Sequence, residues 1–334
     1  MNRRLPPRVY EYCRAHPPRV LLYPGENPAV IRAARWLQDE ALARPVLLGG
    51  PFTIRDMAGK EDIRSRGLTI EHPNNPDLRR ELSRQLSGNR RFIDRSREER
   101  EYFLKEPLHN LWARLWSGEA DVALAGIDFS MARFAKSLLP LWSPKTGYAR
   151  LFSWYLMIPP GGGAPMLFSD CSLNIRPTAE QLSEQARHGA RLYKALTGTM
   201  ARVAFLSFAT MGSARHEKVD KVARAVERTH RLYEEVYCDG PFQVDAALEK
   251  TVAEKKAPQA RLKGKANVFI FPTLDSGNLA QKISEHLGAW FSIGPMITGA
   301  REALHYMAVS AGPEQIAQQA LLAAWIKQND NFTE

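Results

Sequence analysis

Apolar positions in this chain come in short runs separated by longer stretches of helical period, and that alternation predicts an α/β fold. The run Arg19-Val20-Leu21-Leu22-Tyr23 is the first expected strand. Asn27 followed by Pro28 predicts a capped helix start, and Val30, Ile31, Ala34, Leu37 and Leu42 continue it at near-helical spacing. Runs at 45–50 and 68–70 predict two more strands, so the order is β-α-β and implies parallel strands with right-handed crossovers. A helix closing at 111–116, a strand at 120–126 and a helix at 130–142 follow, the last ended by Ser143-Pro144.

The pattern changes near residue 150. Runs at 151–158 and 166–175 are separated by Pro159-Pro160-Gly161-Gly162-Gly163, which predicts antiparallel neighbours. Thr178 with Gln181 three residues on reads as the capping box of a helix reaching about Thr197. Further strands are expected at 202–210, 236–238 and 267–272, with helices at 219–235 and 277–287. Gly312-Pro313 opens a last helix over 314–327.

A length of 334 residues suits two domains better than one core. No run approaches the ~20 apolar residues of a membrane span, and no apolar segment follows Arg3-Arg4 as in a secretory signal. Cys13, Cys171 and Cys238 are odd in number and widely spaced, giving neither a disulfide framework nor a zinc pattern. A cytoplasmic protein is expected. The net charge of +10 fits a nucleic-acid surface or a cleft that gathers phosphate-bearing small molecules. The arginines are densest between Arg79 and Arg100, but glutamates interleave them and no aromatic-plus-basic repeat occurs, which argues against nucleic acid.

GxGxxG, P-loop and HExxH patterns are absent, so the common nucleotide and zinc-protease sites are excluded. Gly161-Gly162-Gly163 lies between two expected strands and reads as a plain loop more readily than as a phosphate cradle. Met211-Gly212-Ser213 follows a strand and is either an anion-facing turn or a helix lead-in. His216 and His230 lack ligand spacing and read as surface histidines. Cys171, after Asp170, reads first as a buried small residue and second as a reactive thiol.

The stretch from Met166 to Leu182, MLFSDCSLNIRPTAEQL, resembles a signature of phosphate acetyltransferases and phosphate butyryltransferases. The likeness continues in LSFATMGS (206–213), CDGPFQVDAAL (238–248), KANVFIFPTLDSGN (265–278) and Ile293-Gly294-Pro295 with Gly299. Pro24-Gly25-Glu26, Arg32-Ala33-Ala34, 45–49 and Gly118-Glu119-Ala120-Asp121 fall in the expected order before them. The resemblance runs from about residue 19 to 327. It implies two α/β domains with an interdomain cleft, of isocitrate-dehydrogenase-like architecture, paired as a homodimer. Residues 1–150, completed by a C-terminal helix within 301–334, would form the first domain and 151–300 the inserted second.

The implied reaction is reversible acyl transfer between coenzyme A and phosphate, with coenzyme A as substrate, no metal and no other cofactor. It needs an anion clamp, a base for the thiol and a donor to the developing oxyanion. Arg90 falls where the family clamps phosphate. Lys136 takes the place of a second arginine, losing its bidentate fork. Cys171, Ser213 and Asn278 keep the family's substrate-side positions. The family's serine-arginine pair, however, lands on Ala308-Val309, and its acidic base on Gln315, with Glu314 beside it. Two readings follow: an acyltransferase with a rearranged site in which Glu314 stands in as base, or an impaired paralogue that binds coenzyme A esters or a partner protein. A dehydrogenase on a similar scaffold would need a metal-binding aspartate cluster and a substrate arginine series, and the sequence shows neither.

Overall fold

The computed structural model describes residues 1–138, 141, 143–145 and 148–329. In chain order the first part holds α1 (Pro7–Ala15), β1 (Arg19–Tyr23), α2 (Pro28–Asp39), β2 (Arg44–Leu48), α3 (Pro51–Lys60), β3 (Thr69–Glu71), α4 (Pro76–Leu86), α5 (Arg97–Phe103), α6 (Pro107–Trp116), β4 (Val122–Gly126) and α7 (Met131–Leu138). There follow β5 (Phe152–Ile158), β6 (Met166–Ser169), α8 (Ala179–Thr197), β7 (Val203–Leu206), α9 (Glu217–Leu232), β8 (Cys238–Phe242), α10 (Val244–Leu248), α11 (Lys250–Lys256), β9 (Val268–Ile270), α12 (Leu274–His286) and β10 (Phe291–Thr298). β11 (Leu304–Met307) and α13 (Pro313–Gln328) end the chain. The described residues divide into two compact units: those within 1–150 together with 299–329, and 151–298.

The first unit carries a parallel sheet in the order β11-β4-β1-β2-β3. Its inner strand β4 (VALAG) is buried end to end and β1 through its three central residues, as a sheet covered on both faces requires. α13 is buried along Ile316–Trp325 and packs on α1, α2 and β4, so it is apolar nearly all round. Asn27 caps α2 by accepting from the Ala29 N–H at 2.9 Å, as its sequence predicts. Side chain Arg114, with 0% exposure, is held by Glu71 at 2.6 Å and Glu119 at 2.5 Å, and Arg19 joins both carboxylates.

The second unit carries a mixed sheet in the order β10-β5-β6-β9-β7-β8. β5 is antiparallel to both β10 and β6, while β6, β9, β7 and β8 run parallel. Gly189 of α8 lies against Leu167 and Val268 on one face. Phe168 and Phe269 point to the other, into a core with Ala246, Ala247 and Ala280. Thr178 and Gln181 form the expected capping box on α8.

Several expectations need correction. The strand foreseen at 166–175 stops at Ser169, because the Asp170 side chain pulls the next four residues into a turn. β8 begins at Cys238, where a strand was expected to end, and runs through the turn-like Asp239-Gly240-Pro241. Gly240 sits at φ +150° there, and a Cβ added to it would stand 2.8 Å from the Phe205 carbonyl oxygen, so a side chain has no room. β10, β11, α1, α4 and α5 were not foreseen: Gly294-Pro295 hides the period of β10, and dense charge hides that of α4 and α5. Of the helix expected to Trp142, Leu139, Pro140 and Trp142 lie outside the described residues, as do residues 330–334 of the C-terminal segment.

His305 on β11 is buried, and desolvation pushes its pKa down to about 4. An unfolded chain, titrating near ~6.5, binds the proton more readily, so this contribution is present above that pH and is lost as pH falls towards 4. Urea unfolding at pH 7 and pH 4.5 is expected to show His305→Gln losing about 2 kcal/mol less than the unmodified chain over that interval. Equal losses in both would remove His305 from the acid response.

Candidate active site

In each unit the loops that follow the parallel strands gather at one edge of the sheet, the position where open α/β sheets bind ligands. The two edges are built separately below.

In the second unit, the chain leaves β6 towards α8 on one face and leaves β9 towards α12 on the other, the kind of strand edge at which open α/β sheets bind ligands. Asp170, 2% exposed, organises the β6 side. One carboxylate oxygen accepts from the Ser172 N–H at 3.0 Å, the Leu173 N–H at 3.2 Å and the Ser153 hydroxyl. The other accepts from the Asn174 N–H at 3.1 Å and its side-chain amide at 2.5 Å. A buried carboxylate so fully paired fixes the loop and costs little, because every lone pair is used.

Gly277 lets α12 press on this turn. A Cβ there would stand 2.3 Å from the Asp170 carbonyl oxygen and 3.2 Å from Cys171 Sγ. Asn278 donates from Nδ2 to the Cys171 carbonyl at 3.2 Å. Cys171 itself is fully enclosed, and burial, reinforced by Asp170, holds its thiol well above the usual range. The residue therefore packs and presents its carbonyl, while its thiol stays protonated. Gly277→Ala is expected to destabilise the second unit by about 1–3 kcal/mol through overpacking against backbone. A chemical-denaturation midpoint unchanged from the parent would contradict that close approach.

Lys221 of α9 ties together the segments that lead into α8 and α12. Its ammonium donates to the Pro177 carbonyl at 3.1 Å and the Pro272 carbonyl at 2.7 Å, and burial lowers its pKa. Ser213 closes a turn in the loop after β7: its hydroxyl accepts from the Thr210 N–H at 3.0 Å, and the Gln243 N–H reaches Thr210 Oγ1. Met211 and Gly212 have φ of +37° and +85°. Gly161 and Gly162 lie in an open turn where an added Cβ would meet nothing, so the glycine triplet behaves as a loop.

In the first unit, Ala308 and Val309 follow β11, and Val309 is 66% exposed. Gln315 is committed locally: its side-chain oxygen accepts the Gly312 N–H at 2.8 Å, closing the first turn of α13. Glu314 accepts from Arg4 Nε at 2.9 Å. On the neighbouring strand ends, the Tyr306 hydroxyl donates to the Phe129 carbonyl at 2.6 Å, and Asn27 bonds to Asp128 at 3.0 Å. Arg133 of α7 stands over the Phe129 ring at 5.1 Å and pairs with Glu106 at 3.6 Å. Lys136 is exposed one turn further along.

Arg90 is exposed in the turn between α4 and α5. Its neighbour Arg91 acts electrostatically on Glu302, which burial raises above the usual carboxylate range. Glu302 precedes β11, and Ala308 and Val309 follow it. Lys136 shares a helix with a guanidinium on the strand-end side. Arg133, Asp170, Lys221 and Gly277 were not singled out from sequence. The Asp beside Cys171 and the Gly before Asn278 were the available signals. Among the described residues no group of three or more His, Cys, Asp and Glu side chains is placed to hold a metal ion.

The chain is thus built of two α/β units, with the buried Asp170 turn after β6 in one and Arg133 and Lys136 on α7 in the other. A family description, phosphate acetyl/butaryl transferase, matches residues 5–324, and the chain belongs to that family. It is 31% identical over 312 residues to a phosphate acetyltransferase of Staphylococcus aureus (strain MSSA476), covering 92% of this chain and 93% of that one. Among solved structures it is similar to the EutD phosphotransacetylase from Staphylococcus aureus, with TM-score 0.81, 29% identity and coverage of 95% and 96%. A phosphotransacetylase from Streptococcus pyogenes gives TM-score 0.82 at 28% identity, covering 96% and 97%.

Proposed function

We propose that the protein transfers an acetyl or related short acyl group between coenzyme A and inorganic phosphate, through a site that departs from the family's at Ala308 and Val309. Family membership supports the reaction class, and the Asp170 turn locked beneath α12 is the observation that carries the reading: a fully paired buried carboxylate holds Cys171 to Asn174 at a strand edge suited to a ligand. Arg133 and Lys136 are the cations we assign to the phosphate, with Arg90 kept as the sequence-based alternative. Coenzyme A enters as substrate. No helix among the described residues is long and apolar enough to cross a membrane, and three unpaired cysteines suit a reducing cytoplasm.

The second reading, an impaired paralogue that senses coenzyme A esters or holds a partner protein, is favoured by Glu314 and Gln315. Both side chains are spent on structural contacts, one with Arg4 and one on the helix start. The two readings separate in an assay of thiol consumption by purified protein with acetyl, propionyl and butyryl phosphate, beside calorimetry with coenzyme A. Turnover that falls on Arg133→Ala supports transfer. Binding without turnover supports the sensor, and neither overturns both.

A further inference from the structure

The first unit has a groove at the end of its sheet where the parallel strands begin. Arg19 and Arg44 open β1 and β2 there, and Asp121 stands just ahead of β4. The groove has a volume of about 680 Å³, within the range of small-molecule sites. Pro17, Pro18, Ala41, Ala43 and Ala324 give it apolar walls, and Tyr12 adds its ring. Arg44 is exposed and commits only Nε, which donates to the Pro17 carbonyl at 3.0 Å. Its two terminal nitrogens have no partner among the described residues. Asp121, by contrast, is engaged: one oxygen accepts the Arg19 N–H at 2.8 Å, and the other faces the Lys327 ammonium at 3.9 Å.

We propose that this groove binds a small organic acid, a carboxylate carried on a compact apolar body. A guanidinium with both terminal nitrogens unused offers the planar fork that takes a carboxylate by two parallel hydrogen bonds. The Nε bond to Pro17 holds that fork in place before a ligand arrives. Lys327 adds a second charge, since its solvent-exposed pair with Asp121 is weak and the ammonium is free to turn. The proline and alanine walls carry no side-chain donor, so they suit the apolar body. Two features oppose an anion: Asp121, and the carbonyl ends of α1, α2 and α13, whose last turns border the groove. Helix-end charges are partial, screened by solvent and short in reach, whereas the fork bonds its ligand directly. Inorganic phosphate would leave the walls wet, and an uncharged body would leave the fork bare. Ala308 and Val309 follow β11 at the other end of the same parallel sheet, so the groove stands whether or not the chain transfers acyl groups.

Isothermal titration calorimetry of the full chain with benzoate tests this, beside acetate, which lacks the body, benzyl alcohol, which lacks the charge, and inorganic phosphate. Benzoate is expected to bind at millimolar concentration, about tenfold more tightly than each of the other three. Arg44→Gln and, separately, Lys327→Glu are each expected to weaken benzoate about tenfold or more. Arg133→Ala, at the other end of the sheet, is expected to leave benzoate binding unchanged. Circular dichroism checks the fold of each variant. Should Arg44→Gln misfold, Lys327→Glu decides, because that side chain is exposed and makes one loose contact. The proposal is overturned by any of four results: no benzoate binding, a control compound that binds as tightly, a folded Arg44 or Lys327 variant that binds as the parent does, or binding lost with Arg133→Ala.

Discussion

Introducing Ala308→Ser together with Val309→Arg is expected to raise kcat for acyl transfer by on the order of 100-fold, because a positioned donor to a developing charge is worth that much. Alanine has no hydroxyl for the thiol, and valine can neither bind phosphate nor polarise a carbonyl. Val309 is 66% exposed, so an arginine side chain fits without repacking, and Ala308 precedes a turn closed by backbone alone, the Ala311 N–H bonding its carbonyl at 2.9 Å. Initial rates at saturating coenzyme A and acetyl phosphate check this. A rate unchanged within twofold, at equal stability, would mean that the positions after β11 do not carry the chemistry.

Arg114→Met is expected to destabilise the first unit by about 3 kcal/mol. Removing one partner of a buried ionic network leaves the others uncompensated, and that loss exceeds what the pair contributed in place. Arg114 is fully buried between Glu71 and Glu119, whose side chains are each 27% exposed, so solvent screens part of their repulsion. Arg19 remains to pair with both and keeps the expected cost at the lower end of the known range. Arg114→Lys keeps the charge but cannot reach both carboxylates with a planar fork, and is expected to fall between. The two variants are compared by thermal and urea unfolding. A loss below about 1 kcal/mol for Arg114→Met would show that Arg19 alone suffices.

Much of the fold was legible because local signals agreed with the buried pattern. Asn27-Pro28 and Thr178 with Gln181 give helix starts that the structure keeps, since these caps satisfy backbone N–H groups whatever the tertiary setting. β1, β2 and β4 stand out as apolar runs because both faces of a parallel sheet are covered. What failed to show was decided by contacts between distant segments. β10 contains Gly294-Pro295, which reads locally as a turn, yet pairs with β5 on both sides of that break. β8 runs through Gly240-Pro241 for the same reason.

The site was less legible than the fold. Cys171 and Asn278, both named from the resemblance, lie together, joined by a bond of 3.2 Å. It did not indicate that the cysteine thiol is sealed in and that Asp170 does the organising. No periodicity reveals a side chain that bonds three residues, Ser172 to Asn174, of its own loop. Arg90 was assigned by spacing alone, and it lies in the exposed turn between α4 and α5, within a segment whose dense charge hides its helices. Arg133, three residues before Lys136, has the planar fork that Lys136 lacks.

The most direct measurement is release of free coenzyme A from acetyl-CoA by the purified protein, with and without inorganic phosphate. Release that requires phosphate, yields acetyl phosphate in equal amount and falls on Arg133→Ala is the expected result. Phosphate-independent hydrolysis, or no release from protein that binds acetyl-CoA, would contradict acyl transfer to phosphate as the activity of this chain.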